Sequence, residues 1–117
     1  MSKKIIIIED DPDILDIMTY ILSEEDYEVI ASTDSKPLDE VLLHEPMLIL
    51  LDNRLTEGYG QDFCARFKSN PETRHFPVIL VSANTALEEM ARDSLADGYL
   101  KKPFDIVELV ELVKRFE

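Results

Sequence analysis

Five short, unbroken apolar runs recur at near-even intervals along the chain: Ile5 to Ile8, Val29 to Ala31, Met47 to Leu51, Val78 to Val81, and the shorter Tyr99 to Leu100. They are too short for helices. Because they are continuous rather than alternating, they fit strands covered on both faces, as in a parallel sheet. The segments between them carry helical spacing. Ile14, Ile17, Met18, Ile21 and Leu22 form one stripe, with Asp11 placed as N-cap and Pro12 at the first helical position. Leu38, Val41 and Leu42 make a second stripe, opened near Ser35 and Pro37 and closed by Pro46. Phe63, Cys64 and Phe67 make a third, ended by Ser69, Asn70 and Pro71. Thr85 with Glu88 has capping-box spacing ahead of Leu87, Met90 and Ala91. Asp105 with Glu108 repeats it ahead of Ile106, Leu109, Val110 and Val113, in a helix that reaches Phe116. Five strands alternating with five helices predict a doubly wound α/β fold, since parallel neighbours need right-handed helical crossovers. A length of 117 residues leaves room for one domain, spanning 1–117, and a 45% hydrophobic composition supplies its core.

The formal net charge is −13, and it is unevenly placed. Residues 5–53 hold 14 acids and one base (Lys36), whereas residues 54–117 hold 11 acids and nine bases. Phosphate backbones and anionic membranes repel such a chain, so neither direct nucleic-acid binding nor a membrane surface is expected. Most of these acids read as a solvated face. The single Cys64 forms no internal disulfide, and with His44 and His75 it cannot close a structural zinc site. A reducing, cytoplasmic setting is expected. Lys3 and Lys4 precede only four apolar residues before Glu9, too few for a signal peptide, and no run approaches the ~20 residues of a membrane span.

In doubly wound sheets ligands bind beyond the carboxyl ends of the strands. Here the first strand ends in Glu9, Asp10 and Asp11, the third in Asp52, the fourth in Ser82 and the fifth in Lys101, Lys102 and Pro103. Acids are 25 of 117 residues, so a single acid at one strand end says little; the set says more. Crowded carboxylates repel one another, and a hard divalent cation is the natural remedy. Mg²⁺ takes oxygen ligands, commonly one or two carboxylates, and completes its shell with water and phosphate oxygens. Glu9, Asp10 and Asp52 supply three negative charges, which Mg²⁺ and Lys102 together balance. A carboxylate can also attack phosphorus to give an aspartyl phosphate, a reaction that needs positioning and neutralisation of oxygen charge. Lys102 and the Ser82 hydroxyl are suitable donors for those oxygens.

From Lys3 to Phe116 the sequence resembles the receiver domain of two-component response regulators, of the single-domain chemotaxis-regulator type. The motifs that carry the resemblance are the acidic pair Glu9 and Asp10, Asp52 after Leu50 and Leu51, Ser82 between Val81 and Ala83, and Lys102 with Pro103. The resemblance implies a flavodoxin-like receiver fold, a five-stranded parallel sheet of order 2-1-3-4-5 with five helices. It implies a phosphorylation-dependent switch, in which a histidine kinase or phosphotransfer protein donates a phosphoryl group to Asp52 in a Mg²⁺-dependent reaction catalysed by the receiver itself. The metal is then held by Asp10, Asp52 and the backbone carbonyl of Arg54, with Glu9 acting through water. Ser82 and Lys102 hold phosphoryl oxygens, Tyr99 is the aromatic residue that turns inward on activation, and the fourth helix, fifth strand and fifth helix form the surface that changes. The Lys102–Pro103 bond is expected to be cis. The downstream target, or a fused output domain, is not identified by the sequence.

Some positions depart from the family pattern. Thr56 stands where proline is usual and Leu95 where glycine is common, and Arg54 and Asn84 lie where the family tunes the lifetime of the phosphoryl group. Other residues have plainer readings. Asp11 is a cap, Cys64 a core residue and Lys101 solvent-facing, while Tyr99 either switches or simply packs. A flavin carrier on the same fold needs a Ser-, Thr- and Gly-rich phosphate loop where this chain has Glu9 to Asp11. A phosphohydrolase acting through a covalent aspartate typically has a second aspartate where this chain has Arg54. A degenerate receiver serving as a phosphorylation-independent docking module is the remaining alternative, and the intact set Glu9, Asp10, Asp52, Ser82 and Lys102 counts against it.

Overall fold

A computed structural model describes residues 3–117. The apolar runs become the strands of one sheet: β1 (Lys3–Ile8), β2 (Tyr27–Ser32), β3 (Leu48–Asp52), β6 (Val78–Ser82) and β7 (Gly98–Lys101), with β4 (Arg54–Leu55) and β5 (Gly58–Tyr59) forming a separate two-stranded sheet. Their order is β2-β1-β3-β6-β7 and every pairing is parallel, which is the expected order of five. The continuous apolar character of the runs is resolved by the pleat, because successive side chains point to opposite faces. Ile5, Ile7, Leu48 and Leu50 enter one core with α1 (Pro12–Glu24) and α6 (Ile106–Lys114). Ile6, Ile8, Ile49 and Leu51 enter the other, against α2 (Lys36–Asp39), α3 (Val41–His44), α4 (Gly60–Ser69) and α5 (Leu87–Ser94). Among the described residues no helix is long and apolar enough to cross a membrane.

Several local expectations hold. Asp11 caps α1, its carboxylate accepting from the N–H groups of Asp13 and Ile14, with Pro12 following. Asp105 and Glu108 form a reciprocal capping box at α6. Lys102–Pro103 is cis.

Others need correction. The second helix is two four-residue helices, α2 and α3, so the helices number six among the described residues. Pro37 and Pro46 leave that segment about two turns, too short for the cooperativity that keeps one ladder unbroken. Leu42 is consequently half-exposed rather than buried. Thr85 does not open a capping box: α5 starts at Leu87 with Ala86 as N-cap and no side-chain cap. The local donors are used by a turn instead, in which Ser82 Oγ accepts from Asn84 N–H and Asn84 Oδ1 from Ala86 N–H. In α1 the buried stripe runs through Leu15, and Ile17 faces solvent. In α6 Leu112 is buried whereas Ile106 is exposed, and the helix ends at Lys114.

Candidate functional site

The parallel register brings the carboxyl ends of β1, β3, β6 and β7 to one edge of the sheet. Asp52 pairs with Val81, Ser82 pairs with Lys101, and Lys102 N–H donates to the Ser82 carbonyl at 2.9 Å. A cleft of about 540 Å³ opens there, lined by Asp10, Asp52, Asn53, Arg54, Tyr59, Ser82, Ala83, Asn84 and Lys102. Beneath it lies Glu9, fully buried, with Asp52 only 4% exposed.

Carboxylate oxygens of Glu9, Asp10 and Asp52 lie within 4.8 Å of one another. The Lys102 ammonium is 2.7 Å from Glu9 Oε1 and 3.4 Å from Asp52 Oδ1. The shorter contact misses hydrogen-bond geometry, so Glu9 Oε1 is compensated in charge yet has no hydrogen-bond partner. At that distance the Coulombic attraction stands whatever the angle. Glu9 Oε2 accepts from Asp11 N–H.

These contacts set the proton distribution. Burial first, then the Asp10 and Glu9 carboxyls, push Asp52 up to about 8, while Lys102 pulls the other way. Asp10 is exposed, and the neighbouring Asp52 carboxyl holds it below the usual carboxylate range. The crowding thus disfavours the charged form at Asp52 and favours it at the more exposed Asp10. Burial opposes the charge on Lys102, but Glu9 and Asp52 outweigh it and raise its pKa, so the lysine remains a cation.

Three converging carboxylates facing a single lysine form an oxygen-rich donor set with more negative than positive charge. It fits a hard divalent cation. Of the residues singled out in the sequence, Asp10, Asp52, Arg54, Ser82 and Lys102 line the cleft and Glu9 lies in its floor. Tyr99 is not among the lining residues; its side chain is 43% exposed.

Sequence reasoning missed the far wall. After Asp52 the chain forms a small antiparallel hairpin, β4 (Arg54–Leu55) and β5 (Gly58–Tyr59), in the loop where Thr56 replaces proline. Asn53 closes its base: its carbonyl accepts from Gly60 N–H at 2.8 Å and its side-chain Oδ1 from Gln61 N–H at 2.9 Å. A Cβ at Gly60, the first residue of α4, would lie 2.4 Å from the Asp52 carbonyl oxygen, so only glycine lets the chain approach so closely. The signal was present in Gly58 and Gly60 flanking Tyr59 just beyond a strand end.

Residues 5–114 match the response regulator receiver domain family. Over 119 residues the chain is 30% identical to the polar-differentiation response regulator DivK of Brucella ovis, covering 99% of this chain and 97% of that one. It is also 30% identical over 117 residues to the phosphate regulon transcriptional regulatory protein PhoB of Escherichia coli, covering 97% of this chain but spanning only 51% of that relative's length. Among solved structures, the receiver domain of sensor histidine kinase PA1611 from Pseudomonas aeruginosa has a TM-score of 0.87 at 25% identity, with 99% of this chain and 98% of that one covered. That structure is described with a magnesium ion coordinated in its active site cleft.

Proposed function

The chain belongs to the response regulator receiver family of two-component systems, and from that premise we propose that it is a phosphorylation switch whose phosphoacceptor is Asp52. One observation carries the assignment. Asp52 is a buried carboxyl at the end of a central strand, facing an open cleft and flanked by Lys102 at 3.4 Å and by Glu9 and Asp10. A buried acid crowded by two further carboxylates, with one lysine as counter-charge, is costly in a purely structural role, so its surroundings argue for chemistry.

In the forward step an Asp52 carboxylate oxygen attacks the phosphorus of a phosphohistidine. The phosphorus–nitrogen bond breaks, its electron pair returns to the imidazole, and Asp52 becomes an acyl phosphate. Attack requires the deprotonated form, which burial and the neighbouring carboxyls disfavour at Asp52 and which Lys102 favours. Asp10, Asp52 and the Arg54 carbonyl are the residues to hold Mg²⁺, with Glu9 behind them. Bound there, Mg²⁺ supplies positive charge that favours ionised Asp52 and neutralises phosphoryl oxygens. Lys102 and the Ser82 hydroxyl then bind phosphoryl oxygens from the other side. The Ser82 oxygen at present accepts from Asn84 N–H; its hydroxyl proton is the donor for a phosphoryl oxygen, and a turn of the side chain towards that oxygen would release the Asn84 contact. We assign Tyr99, exposed on β7, the role of following that movement, which couples the cleft to the α5/β7/α6 surface. The donor is a histidine kinase or phosphotransfer protein, and the reader is a protein surface or an output domain.

Incubation with Mg²⁺ and acetyl phosphate, followed by intact-mass measurement, tests the proposal. A labile single-phosphate adduct that disappears in Asp52→Asn supports it. Absence of an adduct in the wild type, under conditions that label a known receiver, favours the docking-module reading.

A further inference from the structure

We propose that Tyr59 is a built wall of the phosphoacceptor cleft that limits the access of water to a phosphoryl group on Asp52, an inference that rests on the phosphoacceptor role above. Tyr59 brings a large ring to a cleft otherwise bordered by small, polar and charged groups, and the residue is 54% exposed. Its position is fixed from three directions. It pairs directly with Arg54 across the β4–β5 ladder, and directly opposed residues in an antiparallel pair project to the same face. Gly60, the next residue, presses against the Asp52 carbonyl with no space for a Cβ. At the hairpin tip the Glu57 carboxylate accepts from Ser35 N–H at 3.1 Å, tying the loop to the start of α2. Backbone anchored at both ends keeps the root of the Tyr59 side chain at the cleft.

The chemistry assigns that side chain a task. In hydrolysis a water oxygen attacks phosphorus opposite the Asp52 oxygen, the phosphorus–oxygen bond to Asp52 breaks, and the carboxylate leaves with its electron pair. The attacking water loses a proton to solvent and inorganic phosphate departs. In-line attack therefore comes from the solvent side of the cleft. Arg54 and Tyr59 stand together on one flank of that opening, and Asn84 stands elsewhere on its lining. A ring held there excludes water from part of the approach. Because Arg54 and Tyr59 cover the same flank, their effects are not independent.

The test measures loss of phosphate from the purified, phosphorylated protein after removal of acetyl phosphate, by intact mass over time. Tyr59→Ala should lose it roughly fivefold faster or more, about 1 kcal/mol of barrier. Tyr59→Phe, which keeps the ring, should restore slow loss, and Arg54→Ala combined with Tyr59→Ala should add less than the product of the single effects. Tyr20→Ala, an exposed tyrosine on α1, is the control and should match wild type. Wild-type loss rates in Tyr59→Ala overturn the inference, as does full multiplicativity with Arg54→Ala. If the wild type takes up no phosphate at all, the phosphoacceptor role itself falls and this inference with it, an outcome distinct from a labelled protein with unaltered decay.

Discussion

Replacing Asp52 with asparagine in protein stripped of divalent cations probes the cleft's electrostatics without any donor. Asp52 is 4% exposed, lies among Glu9 and Asp10, and has Lys102 at 3.4 Å as its counter-charge. Its carboxyl is pushed up to about 8 in the fold, chiefly by burial. In the unfolded chain such a group titrates near ~3.9. Between those values the folded protein binds a proton that the unfolded chain has released. Stability is therefore full below the unfolded value, falls as pH rises, and has lost this contribution once pH passes the folded value. One proton sets an upper limit of ~1.4 kcal/mol per pH unit, or about 3 kcal/mol between pH 5 and pH 7. A cleft open to water relaxes around the charge, which reduces the expected figure to about 1 kcal/mol. At ~4 °C per kcal/mol for a domain of this size, Asp52→Asn should melt about 4 °C above wild type at pH 7. The gap should close towards pH 5, because asparagine cannot ionise while every other titrating group is common to both proteins. Thermal unfolding followed by circular dichroism in EDTA across pH 5 to 8 reads it, and added Mg²⁺ should raise the wild type and narrow the gap. A gap independent of pH, or an asparagine variant that melts lower at pH 7, would refute the assignment of a disfavoured Asp52 carboxylate.

Three further outcomes follow from the packing. Gly60→Ala places a Cβ 2.4 Å from the Asp52 carbonyl oxygen, and displacement of that backbone should lower stability by roughly 2 kcal/mol and abolish the phosphate adduct; an unchanged Tm would show that the hairpin can shift freely. Leu95 terminates α5 in the left-handed region at φ 63° with 67% of its side chain exposed, so Leu95→Gly should raise stability by about 0.5–1 kcal/mol in a denaturant titration, and a loss would mean its side chain contributes more than its burial suggests. Cys64 is 1% exposed and burial raises its thiol pKa, so maleimide labelling should be slow in native buffer and accelerate with denaturant; rapid native labelling would contradict the closed core around α4.

Much of this was legible in the linear chain because it depends on short-range periodicity. Ile5 to Ile8 and Met47 to Leu51 are apolar without alternation, which only a doubly covered strand tolerates, and Asp11–Pro12 and Asp105–Glu108 are caps complete within four residues. The strand-end set Glu9, Asp10, Asp52, Ser82 and Lys102 was legible for the same reason, once strand ends were located. What failed were helical stripes read without knowledge of what they face. Ile17 fits the α1 period as well as Leu15 does, and only the direction of the sheet decides that Leu15 is buried. Thr85 has cap spacing, but the turn from Ser82 through Asn84 claims the donors first.

The sequence by itself determined the alternation of strands and helices and the kinds of side chain presented at the strand ends, because both are set by local spacing and residue chemistry. Only the tertiary structure decided how those side chains act on one another. That Lys102 lies 2.7 Å from Glu9 and 3.4 Å from Asp52, that burial and the neighbouring carboxyls raise the Asp52 pKa, and that the Arg54–Tyr59 hairpin walls one side of the cleft all arise from contacts between segments. Charge interactions depend steeply on distance and burial, and both are properties of the packed sheet rather than of the order of residues along the chain.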